Sequence, residues 1–166
     1  MEKMTMYCVN CDNKKPLKQK RINYKYTDCG LENVTLHGVE YTRCDKCGED
    51  YVGYGDLEQL HAQIAAELIQ KKGLLDGKEV RFLRSHMGYS GATYARLVGM
   101  TSEHQSRIEN GRTKATQAYD LLLRALVQNK TPDRHYDLHD LITNDSGKEL
   151  KRIDLKLNGH GWESAA

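Results

Sequence analysis

Four cysteines arranged in two pairs constrain this 166-residue chain more than any other feature. Cys8-Val9-Asn10-Cys11 and Cys44-Asp45-Lys46-Cys47 are CxxC turns, separated by residues 12–43. A CxxC turn sets two thiolates where they can share one tetrahedral ion, with metal–sulfur distances of about 2.3 Å. Gly48 follows the second pair and suits the tight backbone of such a turn. Two turns complete a closed four-thiolate set, so Cys8, Cys11, Cys44 and Cys47 are expected to hold one structural Zn2+ with no open position for catalysis. A lone CxxC would be ambiguous with a thioredoxin-like redox pair. Two of them flanking a strand-rich segment make that reading poor. Five cysteines in total is an odd number, which argues against a full disulfide framework. Cys29 is left over and reads as a free or half-buried thiol. His37 and His61 are alternative ligands, but with four thiolates present they are expected in packing or surface roles.

Between the pairs, Ile22, Tyr24 and Tyr26 alternate with polar residues, as do Val34 and Leu36. That two-residue period predicts short half-buried strands, with Gly30 and Gly38 as the turns between them. A piece this small has little apolar material, so the metal should supply much of its stability. Next, Leu57, Leu60, Ile64 and Leu68 recur at three and four, with Asp56 as N-cap and Gln59 completing a capping-box pattern. This helix should end near Lys71-Lys72-Gly73; its stripe could be presented to a partner, but packing on the cysteine-bearing module is the simpler expectation. Gly73 to Gly77 reads as a linker.

A second helical series follows. Asp76-Gly77 opens a helix with Val80, Leu83, Arg84 and Met87 inward, ended by Gly88. Ser90 caps another with Tyr94, Ala95, Leu97 and Val98 inward. Gly99 breaks it and Met100 plugs the turn. Thr101 or Ser102 caps a third helix through Ile108-Glu109, stopped by Asn110-Gly111, and a fourth spans about Thr116 to Gln128, with Ala118, Leu121, Leu122, Ala125 and Leu126 inward. Ala95 must be small where two helices cross closely, and Gly99 permits the sharp turn. With Ile108 buried, Ser102, Glu103, Ser106 and Arg107 share an outward face. The organisation expected is a zinc-binding domain with its connecting helix over 1–72, a linker over 73–77, a helical domain over 78–130 and an extension over 131–166. In that extension, Pro132 to Leu141 reads as one more short helix, and Ile153, Leu155 and Leu157 alternate like a strand. The fold class is therefore α+β.

Charge supports a nucleic-acid reading by its distribution. The whole chain carries only +2, but Lys78 to Lys130 holds nine Lys and Arg against four Asp and Glu, and Thr131 onward five against seven. Basic charge thus concentrates in the segment with the outward polar face. On that face Arg107 is the expected base reader, because its planar fork matches the O6 and N7 of guanine. Ser102, Ser106, Arg112 and Lys114 are better placed for phosphates. Glu103 suits either a cytosine N4 or simply the positive end of its helix. The opening Met1-Glu2-Lys3-Met4-Thr5-Met6 lacks the apolar core of a secretion signal, and no apolar run is long enough to span a bilayer, so a cytoplasmic protein is expected. No base–nucleophile pair, phosphate loop or HExxH arrangement appears, so an enzyme is not expected.

The run Ser106-Arg107-Ile108-Glu109-Asn110-Gly111, with Ser90, Ala95 and Gly99-Met100 upstream, resembles the Xre/Cro family of helix-turn-helix repressors. With the two CxxC turns ahead of it, the arrangement over about Met6 to Lys130 resembles the MqsA (YgiT-type) zinc-finger and helix-turn-helix antitoxins. The resemblance implies a zinc domain that binds and neutralises a ribonuclease toxin, and a C-terminal domain that dimerises on a palindrome in its own promoter. Cys8, Cys11, Cys44 and Cys47 fall on that family's zinc ligands, and Arg107 on a base-reading arginine. Glu103 stands where the family has a base-reading asparagine, so the target sequence should differ. The chain also differs in its short linker and in residues 131–166.

Two functions follow. The first is an autoregulating repressor that is also the antitoxin of a type II toxin–antitoxin pair, a homodimer on double-stranded DNA. The alternative is an ordinary zinc-finger and helix-turn-helix regulator with no toxin partner.

Overall fold

The computed structural model describes residues 6–12, 14–129, 152–159 and 161–165. Five strands and five helices follow in the order β1 (Gln19–Lys25), β2 (Val34–Arg43), β3 (Asp50–Gly53), α1 (Leu57–Ile69), α2 (Gly77–His86), α3 (Gly91–Leu97), α4 (Ser102–Glu109), α5 (Gln117–Gln128), β4 (Ile153–Asn158) and β5 (Gly161–Ser164). The fold is α+β, with a strand-rich cysteine-bearing part ahead of a helical one, as expected.

Strand β2 organises the sheet. Its one edge pairs antiparallel with β1, and its other edge is divided between two partners. Glu40 to Arg43 pair antiparallel with β3, and Val34 to His37 pair parallel with β4. Parallel pairing needs a long crossover, and here the connection from β2 to β4 contains the five helices of the described residues. Gly38 does not separate two strands, contrary to expectation. It lies inside β2 at φ +72°, where the register with β1 slips between Ile22↔Val39 and Tyr24↔Leu36. An extra residue in a left-handed conformation is a bulge that glycine accommodates without a Cβ penalty. It resets the alternation, so Val34 and Leu36 before it and Val39 after it all face the core.

The strand expected over Ile153 to Leu157 is β4. With β5 it forms a hairpin that brings Ile153, Leu155 and Trp162 into the same core as Val34 and Leu36. Trp162 donates its ring N–H to the Tyr54 carbonyl at 2.9 Å. The helix expected over Pro132 to Leu141 lies outside the described residues.

Helix α1 begins where Asp56 accepts from the Glu58 and Gln59 amides, and it packs on β5, α2 and α5. The core is continuous from the sheet through Leu60, Ile64 and Leu68 of α1 to Val80, Leu83, Tyr94 and Leu123. The connection at 73–77 is bonded into it. Leu75 is buried and donates its amide to Asp120 Oδ1 at 2.8 Å. Arg124, fully buried, donates to the carbonyls of Ile69, Lys71 and Gly73 at 2.9, 2.7 and 2.7 Å and pairs with Asp120 at 2.6 Å. The last carbonyls of a helix have no partner within it, and an arginine of α5 supplies donors to those of α1 and the turn after it.

The inward face of α5 corrects the expectation. Tyr119, Asp120, Leu123, Arg124 and Val127 are buried, whereas Ala118 and Leu122 are exposed and Leu121, Ala125 and Leu126 half-covered. The same holds for Leu97 of α3, expected inward and 53% exposed. Both faces of α5 carry apolar residues at helical spacing, and the buried one is selected by the mutual neutralisation of Asp120 and Arg124.

Candidate metal centre and nucleic-acid interface

The four cysteines of the two CxxC turns converge, with all sulfurs within 4.8 Å of one another. The Sγ separations are 3.6 Å for Cys8–Cys47 and 3.7 Å for both Cys11–Cys8 and Cys11–Cys44. Four sulfurs at about 2.3 Å from a central zinc lie about 3.8 Å apart at the corners of a tetrahedron. The donor set therefore fits a metal ion of that size, with a thiolate at each of the four corners. Backbone geometry shapes each turn. The Gly48 amide bonds the Cys44 carbonyl at 2.8 Å with Gly48 at φ +77°, and the Cys44 amide bonds the Glu49 carbonyl at 2.8 Å.

Sequence reasoning passed over Tyr51. Its hydroxyl lies 3.2 Å from Cys8 Sγ and accepts the Val9 amide at 3.1 Å, which leaves its proton directed at the sulfur. That contact draws the Cys8 thiol below its ordinary pKa, the direction that favours the metal-binding thiolate. The signal was present in the sequence, since Tyr51 sits on the strand leaving the second knuckle, but its partner is 43 residues away. Cys29 is half-buried, and burial pushes its thiol up, as for an unreactive cysteine. His61 meets the Tyr26 hydroxyl at 2.9 Å, and His37 meets Asp154 of β4. Neither histidine is among the four clustered ligands.

The second candidate surface is the outer side of α4. Thr101 caps the helix by accepting from the His104 amide at 3.2 Å. Gln105, Ile108 and Glu109 are its buried side. Ser102, Glu103, Ser106 and Arg107 are exposed opposite, and Arg112 and Lys114 are exposed in the loop beyond. His104 is exposed with them and was not among the expected residues. Glu103 is held below the ordinary carboxylate range first by its own backbone N–H and then by Thr101, so its charge suits the start of the helix. The turn before α4 has Gly99 at φ +71° and a Met100 amide bonded to the Ala95 carbonyl at 2.9 Å, with Ala95 buried at the crossing.

Glu109 fixes the angle at which α4 is presented. Arg84 of α2 grips both its oxygens, Nε to Oε1 at 2.6 Å and Nη2 to Oε2 at 3.0 Å, and Gln105 and Arg81 add bonds at 2.7 and 3.2 Å. Arg84 also reaches the Tyr89 carbonyl at 2.5 Å, tying α2 to the approach of α3. At the other side of α2, a Cβ on Gly77 would sit 2.4 Å from the Ile108 carbonyl oxygen. The start of α2 thus approaches the end of α4 as closely as only glycine allows.

Among the described residues no helix is long and apolar enough to cross a membrane. Comparison with protein families matches residues 6–142 to the antitoxin component of the bacterial toxin–antitoxin system, MqsA. No curated protein and no solved structure matches the chain significantly.

Proposed function

The chain belongs to the MqsA antitoxin family, and on that premise we propose that it is a homodimeric, sequence-specific DNA-binding repressor that also neutralises a toxin through its zinc-bearing sheet. The family match favours this over a regulator without a toxin partner.

The DNA-binding part rests chiefly on the outer side of α4. A polar, exposed face on a helix whose other side is locked by Ile108 and the Arg84–Glu109 grip is what a recognition helix needs to enter the major groove of a duplex. Arg107 carries base recognition, its two-pronged contact with a guanine discriminating by roughly 1–3 kcal/mol. Ser102, Ser106, Arg112 and Lys114 contact phosphates and set register without reading sequence. Glu103 reads a cytosine or simply stabilises the helix start.

Zn2+ at the four thiolates closes the loops around β1 to β3, and the metal's part is structural. The dimer forms through the outer side of α5, where exposed Ala118 and Leu122 and half-covered Leu121 and Ala125 make an apolar stripe. A stripe of this kind on two copies is self-complementary about a two-fold axis, and a palindromic operator has the matching symmetry.

The test is selection of bound sequences from a random duplex pool by the full chain and by Arg107→Ala. The variant should bind more weakly and lose preference at one base per half-site while its circular dichroism is unchanged. An unaltered selected sequence would remove Arg107 from base recognition.

A further inference from the structure

A second charged surface lies apart from α4 and from the thiolates. Beside the second knuckle, a cleft of about 690 Å³ is formed between the loop ahead of β1 and the end of β2. Lys15, Lys18, Lys20, Arg43 and Lys46 line it against one carboxylate, Asp45. All five cations are exposed. The nearby Asp50 offsets part of Arg43, at 3.6 Å, and leaves the lysines to dominate. From Lys14 to Lys25 the chain carries six basic residues and no acidic one. Such a concentration of like charge on one surface sets up a positive potential that attracts an anionic partner.

The lining distinguishes between anionic partners. A single-stranded nucleic acid needs free aromatic faces on which its bases stack. The aromatic side chain here is Tyr41, whose ring is covered by Lys20 at 5.1 Å and whose hydroxyl donates to Asp50 at 2.5 Å. One ring with Lys20 over one of its faces is a poor platform for successive bases. Pro16 and Leu17 instead supply an apolar lip. An apolar lip beside lysines suits a protein segment that mixes carboxylates with one or two apolar side chains. The volume accommodates a short extended stretch of chain.

We propose that this cleft docks an acidic, partly apolar segment of a protein partner. The proposal rests on the antitoxin reading only in naming the toxin as the protein that supplies the segment. The cleft stands at the far end of β2 from Glu32 and Lys78, which join sheet and α2. At about 3.3 Å per residue, ten-residue β2 separates the two ends by about 30 Å. Occupation of the cleft therefore leaves α4 free, and one chain holds protein and DNA together.

The experiment uses the zinc-loaded full chain and a short fluorescein-labelled peptide of glutamates and leucines, with oligouridylate as a competing probe. Fluorescence anisotropy is read for the wild type, for the triple variant Lys18→Glu, Lys20→Glu, Lys46→Glu, and for Lys72→Glu as an exposed lysine outside the cleft. The wild type and Lys72→Glu should bind the peptide with an affinity that falls as salt rises, and the triple variant at least about tenfold more weakly. Equal peptide binding by the triple variant, or no peptide binding by the wild type, would overturn the proposal. Tighter binding of oligouridylate than of peptide would replace the protein partner with a nucleic acid. Operator binding by the triple variant is measured alongside and should be unchanged. Loss of operator binding in the wild type would count against the repressor reading and leave the peptide result to decide the cleft.

Discussion

Replacing Arg124 by methionine tests how the sheet and the helices that follow it are held together. The substitution keeps an unbranched side chain of similar length and removes the guanidinium. It strips donors from the carbonyls of Ile69, Lys71 and Gly73, and it leaves the Asp120 carboxylate buried with the Leu75 amide but without its counter-charge. Removing one member of a buried pair costs about 3–5 kcal/mol, because the remaining charge stays out of water. Against a whole-protein stability of about 5–15 kcal/mol this is a large fraction. With a urea dependence of about 2 kcal/mol per molar, the unfolding midpoint of the zinc-loaded chain should fall by about 1.5–2.5 M. Circular dichroism during urea titration measures it. Asp120→Asn added to Arg124→Met removes the stranded charge and keeps an oxygen for the Leu75 amide, so the double variant should recover part of the loss. A midpoint shift below about 0.5 M, or a double variant no more stable than Arg124→Met, would refute the assignment of this pair as the principal tie between α1 and α5.

Tyr51→Phe deletes the hydroxyl facing Cys8 and should weaken metal retention by about tenfold or more, as loss of a ligand's supporting bond commonly does; competition with a colorimetric chelator measures it, and unchanged retention would show the bond to be incidental. For Glu109, burial raises the carboxyl pKa but Arg84, Gln105 and Arg81 outweigh it, holding it below the ordinary 4.5. A carboxylate so lowered contributes stability that is present above 4.5 and lost as pH falls through its folded value. Acid melting curves should therefore show a loss that Glu109→Gln flattens; parallel curves for the two proteins would remove Glu109 as its source. Glu79, raised by burial despite Lys71, acts in the opposite sense, since acidification relieves its buried charge. Leu122→Glu places a charge in the exposed stripe of α5, where the side chain is 43% exposed, and should convert a dimer to a monomer in sedimentation velocity without unfolding it. A wild type that is already monomeric would remove the stripe as the dimer seam.

What the sequence revealed and what it hid follows from the range of the interactions involved. The cysteine pairs, the helix starts at Asp56, Asp76 and Ser90, and the breaks at Gly88 and Gly99 depend on residues within a turn of one another, and each was legible. The third cap was legible only as Thr101 or Ser102, and Thr116 as the start of its helix and not as its cap. The outward side of α4 was legible for a related reason, because burying Ile108 fixes where Ser106 and Arg107 point. The buried side of α5 was not. Its apolar residues alone favour the stripe through Leu122, and only the carbonyls at the end of α1 and in the turn after it, 51 to 55 residues away, make a face containing Asp120 and Arg124 the inner one. Gly38 was misread on similar grounds. A glycine between apolar residues marks a turn or a bulge alike, and the choice depends on whether a neighbouring strand continues past it, as β1 does here. Tyr51 and the Arg84–Glu109 grip belong to the same class, polar groups whose purpose appears only when a distant partner arrives. Polar groups of this kind hold the thiolates, α4 and the junction of sheet and helices in place, so the chemistry of the candidate sites was written locally while their rigidity was written at long range.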